Sequence, residues 1–212
     1  LVLRQFPDLG TYVRFRPTGR TVFRVGDTEI YWEDVLMADV NVFDVFTHRA
    51  IFGDLAAALQ DPSAIAISES FSKRYFGDRN PVGETIVTDT FDFHVTAVFA
   101  DLPDNTHLKY SALLSMKRLE SFGFSDDRVT PQQVFNVGIY TYFLLNAGLT
   151  QQNLNDSLTA FYDQQLASFA SQIQLAGRFD TQPLTAIHFD TGWSYDQPTG
   201  NIFYVYAFMA VA

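Results

Sequence analysis

Residues 63–86 read SAIAISESFSKRYFGDRNPVGETI, and the succession of side-chain types in this stretch sets the fold. Ala64 to Ile67 is a short apolar run that forms a strand. Ser68 then caps a helix over Glu69–Phe76, because its hydroxyl can accept from a backbone N–H of the first turn that has no partner within the helix. Lys73 and Arg74 fall in the last turn, where the helix dipole favours cations, and Gly77 supplies the left-handed residue that ends the helix. Phe71 and Tyr75, four apart, face the core. Pro81 and Gly83 turn the chain into a second strand, Glu84 to Thr88. Two glycines, a proline, an Asp and an Asn between apolar segments could also line a ligand loop. Turn chemistry needs the same residues whether or not anything binds, so YFGDRNPVGETI is a helix stop followed by a strand start.

Upstream, Thr11–Arg16, Arg20–Val25 and Thr28–Trp32 are β-favouring segments separated by Pro17-Thr18-Gly19 and Gly26-Asp27, which predicts three adjacent antiparallel strands. An apolar stretch from Val35 leads to Asp39 or Asn41 as the cap of a short buried helix, and Asp54–Gln60 predicts another helix that stops before Asp61-Pro62. Downstream, FDFHVTAVFAD is the clearest strand, with Phe91, Phe93, Val95, Ala97 and Phe99 expected on one face. Leu108 to Leu114 is expected to pair with it, Met116 to Gly123 to form a short helix, and Phe124 to Asn136 to return the chain. Gly138 to Asn146 is apolar on both faces, as a mid-sheet strand is. A long helix capped by Thr150 follows, with Leu154, Leu158, Phe161, Leu166, Phe169 and Ile173 at helical spacing, and Phe179 to Ile187 predicts a last strand.

The 212 residues are 47% hydrophobic and 18% charged, a balance that supports a sizeable core. A net charge of −10 disfavours nucleic acid and anionic lipid as partners, since both are polyanions. The absence of cysteine removes disulfides, thiolate catalysis and Cys-based zinc sites, and is neutral on compartment. After Asn201 every residue from Ile202 to Ala212 is apolar (IFYVYAFMAVA), about half of the roughly 20 residues that a membrane span needs. The expectation is a chain cut at the start of a transmembrane helix, the alternative a buried terminal helix. The opening Leu1-Val-Leu meets Arg4, Pro7 and Asp8 at once and does not read as a signal peptide, so the expectation is that the chain is cut at this end too.

No residue cluster announces a reaction. His48, His94, His107 and His188 are scattered and form no HExxH or HxH arrangement, so a metal site would require a spatial coincidence. There is no G-x-S-x-G elbow and no phosphate-binding lysine loop, and Gly77 with Gly83 is not a dinucleotide fingerprint. Asp126-Asp127, Glu33-Asp34 and Asp101 with Asp104 all fall in expected turns, where solvated loops explain them better than calcium ligation, which needs more oxygens in a stricter pattern. Trp32 and Trp193 could anchor a partner, but a tryptophan near a strand end more often closes a core. Catalytic, cofactor-binding and metal residues are therefore none, and substrate-binding residues are unknown.

Four segments together resemble the MacB-like periplasmic core domain of ABC-transporter permeases in the MacB and FtsX family: NVFDVFTHRAIFGDLAAAL (41–59), SAIAISESFSKRYFGDRNPVGETI (63–86), HVTAVFADLPDNTHLKYSALLSM (94–116) and GNIFYVYAFMAVA (200–212). Each motif is structural; their order and spacing carry the resemblance. It implies an α+β fold, with a porter-like subdomain (10–62 and 132–196) of strand-helix-strand units forming a mixed sheet with helices. A β-rich inserted subdomain (63–131) and membrane-proximal stalks (1–9 and 197–212) complete it. It also implies an extracytoplasmic domain between two membrane helices of a bacterial inner-membrane permease, with ATP hydrolysed by a cytoplasmic ATP-binding subunit or domain. A second permease copy and a periplasmic adaptor or substrate protein are the other implied partners. No cofactor is expected in this chain. The isolated domain is expected to be monomeric or weakly dimeric, with no turnover and no bound metal. The two chain ends should leave it side by side. A ligand-sensing extracytoplasmic domain of a membrane receptor is the alternative reading, and an enzyme ranks third.

Overall fold

The computed structural model describes residues 2–187, apart from 20, 27, 33, 89–90, 124–129, 135–137 and 176. The fold is α+β. The chain divides into two compact units, one of Tyr12–Asp104 and Lys109–Leu144, the other of Leu1–Thr11, Asn105–Leu108 and Leu145–Ala212. These units do not coincide with the expected porter-like part (10–62 and 132–196) and insertion (63–131).

The first unit is built on a ten-stranded mixed sheet. Its strands are β1 (Gly10–Pro17), β2 (Thr21–Val25), β3 (Thr28–Trp32), β4 (Val35–Ala38), β5 (Ala50–Gly53), β6 (Ala64–Ser68), β7 (Thr85–Thr88), β8 (Asp92–Phe99), β9 (Ala112–Ser115) and β10 (Tyr140–Leu145). Their order is β10-β1-β4-β9-β6-β8-β7-β2-β3, and β5 pairs with β8 off that path. β6 is central: all five of its residues are buried, and it runs parallel to β8 and antiparallel to β9. A short apolar strand with both faces covered is what AIAIS encodes. The helix α3 (Glu69–Phe76) follows at once, with Ser68 accepting from the Phe71 N–H as its cap. Phe71 has no exposed surface, lies edge-on to Phe23 of β2 at 6.4 Å, and joins Ile65, Ile67, Phe76, Ile86, Phe93, Val95 and Val98 in one apolar cluster.

The strand expected to present Phe91 through Phe99 on one face does not keep its alternation. Ile65 is level with Val95 but Ala66 with Ala97, so Thr96 is an extra residue in β8 opposite β6. Such a bulge restarts the two-residue period. Phe93, Val95 and Val98 therefore join the cluster beneath α3, whereas Phe99 packs with Phe43, His48 and Tyr110. The Thr96 hydroxyl holds the bulge from within, 2.7 Å from the Ala58 carbonyl and 3.1 Å from that of Ile65. Gly53 of β5 is level with Ala97, where the chains approach so closely that a Cβ would sit 2.4 Å from the Thr96 oxygen.

Other expectations are corrected. β1 is not part of a meander with β2 and β3. Thr18 uses its N–H and hydroxyl on the Val35 carbonyl, which directs β1 to pair antiparallel with β4 and sends the β2–β3 hairpin out to pair with β7. Asp39 caps nothing, because Arg14 takes both its carboxylate oxygens, at 2.8 and 2.9 Å. Asn41 precedes α2 (Val42–Val45) but donates to the Tyr12 carbonyl. Asp54–Gln60 forms only one 3-10 turn, Leu55–Ala57, capped by Asp54. β9 pairs with β4 and β6 rather than β8. Among the described strands β10 borders only β1 and leaves Leu144 about half exposed, so it sits at the sheet edge rather than mid-sheet. The short helix expected over Met116 to Gly123 is present, as a 3-10 helix over Met116–Phe122 ended by Gly123. Of the return segment 124–136, only α4 (Pro131–Val134) forms a described element.

In the second unit, α1 (Val2–Gln5) packs on α5 (Gln151–Phe161). Thr150 and Asn153 form the reciprocal capping box that opens α5. A π-helical turn, Tyr162–Leu166, links α5 to α6 (Ala167–Gln172). The added residue makes Leu166, and not Gln165, continue the buried stripe of Leu154, Leu158 and Phe161. Residues 179–187 form no strand: 179–183 are irregular and 184–187 form turns, in which Ala186 donates to the Pro183 carbonyl and Ile187 to that of Leu184. The apolar run 202–212 and the point near Gly200 where the second stalk would leave both lie outside the described residues. Among the described residues no helix is long and apolar enough to cross a membrane.

Candidate functional site

Two clusters in the first unit bring together the groups with chemical potential. One forms where the parallel strands β6 and β8 end, the place where ligands commonly bind in sheets with parallel strands. There the Ser70 N–H donates to Asp101 Oδ1 at 2.9 Å and its hydroxyl to Oδ2 at 2.5 Å. Burial works to raise the Asp101 carboxyl, but the hydrogen bonds from Ser70 and Ser68 outweigh it and hold the group below its ordinary range. Lys73 reaches Glu69 at 2.7 Å, one helical turn back, and this hydrogen bond raises the ammonium above its usual value. Arg49, just before β5, lies 3.7 Å from the other Glu69 oxygen. Asp101 was expected to be a solvated turn residue; it lies in the irregular segment just after β8 and is tied to the first turn of α3. Both donors of Ser70, the N–H and the hydroxyl, are thus spent on the one carboxylate. The cluster binds β5, α3 and the end of β8 together.

The second cluster surrounds His48. Its Nδ1 lies 2.7 Å from the Phe46 carbonyl, which can only accept, so Nδ1 carries the proton. Nε2, 2.7 Å from the Tyr110 hydroxyl, is then the acceptor. Phe15, Phe43, Phe46, Phe99 and Tyr142 pack around this pair. Burial lowers the His48 pKa against the opposing pull of the Phe46 carbonyl. Burial first, and then the neighbouring Tyr142 phenol, push Tyr110 far up, so it stays a neutral donor. Sequence spacing gave no sign of the pair, because His48 and Tyr110 lie 62 residues apart.

A pH dependence follows. The unfolded chain protonates His48 near pH 6.5 while the folded imidazole resists, so the unfolded state binds more protons and stability falls as pH drops below about 6.5. Asp101 acts lower: its contribution is present above the ordinary Asp range and fades only as pH falls through it. Urea unfolding at pH 7.5 and 5.5 should therefore show a loss in wild type that is smaller in His48→Gln. An equal loss in both proteins would remove His48 as the cause.

The remaining histidines and acids do not converge. His94 meets Thr85 at 3.3 Å on the exposed side of β8, His107 is buried in the other unit, and His188 lies outside the described residues. Among the described residues no three His, Asp or Glu side chains gather as possible metal ligands. The Asp34 carbonyl accepts from Ser111, and that of Asp104 from Lys109. Trp32 contributes its backbone to β3. Glu33, Asp126, Asp127 and Trp193 are outside the described residues.

Three solved structures share the fold. A domain assigned to a permease from Porphyromonas gingivalis superposes with a TM-score of 0.65 at 19% identity, covering 86% of this chain and 79% of that one. The periplasmic region of MacB from Actinobacillus actinomycetemcomitans gives 0.57 at 14%, covering 83% and 82%. The extracellular domain of the noncanonic ABC-type transporter YknZ from Gram-positive bacteria gives 0.54 at 12%, covering 85% of each. No curated protein matches in sequence. The sequence model of the MacB-like periplasmic core domain matches residues 4–161, three quarters of the chain, and the chain belongs to that family.

Proposed function

We propose that this domain couples ATP hydrolysis in the cytoplasm to movement outside a bacterial inner membrane, as part of an ABC-transporter permease of the MacB and FtsX type working in export or efflux. The observation that carries this reading is the family match over residues 4–161. The internal pairing of Ser70, Asp101, Glu69 and Lys73 agrees with it, since that cluster is built to join elements rather than to turn over a substrate. On this reading the chain is not an enzyme, and ATP is hydrolysed by a cytoplasmic ATP-binding subunit or domain. A second permease copy is the other partner, with a periplasmic adaptor or substrate protein beyond it. Residues 10–62 and 132–196 form the porter-like part, 63–131 the insertion, and 1–9 and 197–212 the stalks.

The test is purification of the intact membrane protein from its own cells, followed by distance measurements between spin labels on the two copies. An ATP-binding partner and a nucleotide-dependent change in distance are the expected results. Recovery of a kinase module in place of an ATPase would overturn the proposal in favour of a sensor.

A further inference from the structure

Before β1 the chain runs through α1 and a single 3-10 turn, Pro7–Leu9, and α1 packs on α5. The hydrogen bonds of this segment converge on α5 and its approach. The side-chain amide of Asn146 donates to the Asp8 carbonyl at 2.9 Å, and its backbone N–H donates to the Leu9 carbonyl at 3.0 Å. One residue thus grips two successive carbonyls, once through its side chain and once through its backbone, which fixes the direction of the segment as well as its position. At the far end, Gln5 donates to Gln164, inside the π-helical turn. Between Asn146 and α5 there is little slack: Leu149 donates to the Asn146 carbonyl, and Thr150 caps the helix.

We infer that Asn146 is a positioning residue that locks residues 2–9 onto the start of α5, so that force entering through this segment drives the helix and not strand β1 alone. The inference rests on the mechanical reading proposed above. Asparagine suits the task because it is short enough to keep its backbone bond and still carries a donor. Aspartate has the same shape, but offers a carboxylate where the Asp8 carbonyl needs an N–H.

The test uses the intact permease with its ATP-binding partner in lipid, in a cysteine-free background, with spin labels at Arg4→Cys and Gln152→Cys within one copy, or at Gln152→Cys in both copies. In wild type one intramolecular distance should dominate, with a longer one as a minor population, and neither should change when ATP binds. In Asn146→Asp the longer distance should gain about fivefold in population, the factor that one ordinary hydrogen bond is worth. The ATP-driven displacement between copies should shrink while ATP turnover is retained. Asn146→Ala, which removes the donor without adding charge, should do the same should the aspartate variant fold poorly. Variants that keep the wild-type populations of the two distances and move as far as wild type overturn the clamp alone. A wild type that shows no displacement overturns the mechanical reading, and the transmission through Asn146 with it.

Discussion

Gly53→Ala should destabilise the protein by about 3 kcal/mol, although it adds one methyl group to a half-exposed strand. Two costs combine. Gly53 has φ +76°, a left-handed conformation that costs an L-residue about 1–2 kcal/mol. The new Cβ would also lie 2.4 Å from the Thr96 carbonyl oxygen and 2.9 Å from the Ala97 Cα. Both are backbone atoms that cannot swing aside, and overpacking of this kind costs about 1–3 kcal/mol. β5 would have to draw away from β8, disturbing the bulge that turns Phe99 toward His48. For a chain of this length the loss corresponds to a fall in Tm of about 6–12 °C. Gly123→Ala is the control: its φ of +80° is nearly the same, and a Cβ there meets nothing within 4 Å. Thermal unfolding followed by circular dichroism should place Gly123→Ala well above Gly53→Ala. Equal midpoints would mean that conformational strain alone matters and that the close approach at Thr96 does not.

The same residues explain why part of this structure was legible in the sequence and part was not. α3 was readable to its boundaries because each signal is local: a serine cap, cations in the last turn, a glycine stop. The Thr150 cap of α5 is local too. β5 was missed because its pairing is decided by Gly53 and Thr96, which are distant in sequence and meet only in the sheet. The parity of β8 was missed for the same reason, since a bulge depends on the partner strand. β10 looked central because its residues are apolar on both faces, and hydrophobicity reports burial without saying which neighbour supplies it. Phe179–Ile187 had strand-like composition, but Pro183 lacks an N–H for a ladder and its carbonyl serves a turn. The site was harder still. His48 was visible as a residue, yet its chemistry depends on Tyr110 and on a ring of aromatics assembled from β1, β8 and the segment around α2.

Phe71→Ala should have a large effect, about 3–5 kcal/mol, against a total stability of about 5–15 kcal/mol for an ordinary domain. The ring is fully buried between Tyr75, 4.8 Å away on the same helix, and Phe23 of β2. Removing it leaves a hollow bordered by sheet residues that are fixed in their ladders and cannot collapse inward. Helix propensity pushes the other way, since alanine is the better helix former by some tenths of a kcal/mol, so any loss must come from packing. Phe71→Leu keeps most of the apolar contact and should lose distinctly less, and Tyr75→Ala, at the half-buried margin, less again. Urea unfolding of the three variants should give that order. A Phe71→Ala protein within about 1 kcal/mol of wild type would mean that α3 is not seated by this ring. The consequence extends past stability, because α3 carries both ties of the polar cluster: Ser70 to Asp101 and Glu69 to Arg49. A helix that has lost its anchor should rock on the sheet, and amide exchange should quicken at 69–76 and at 100–101 before it does so in β6. The packing beneath α3 is then what keeps the ends of β5, β6 and β8 moving as one body.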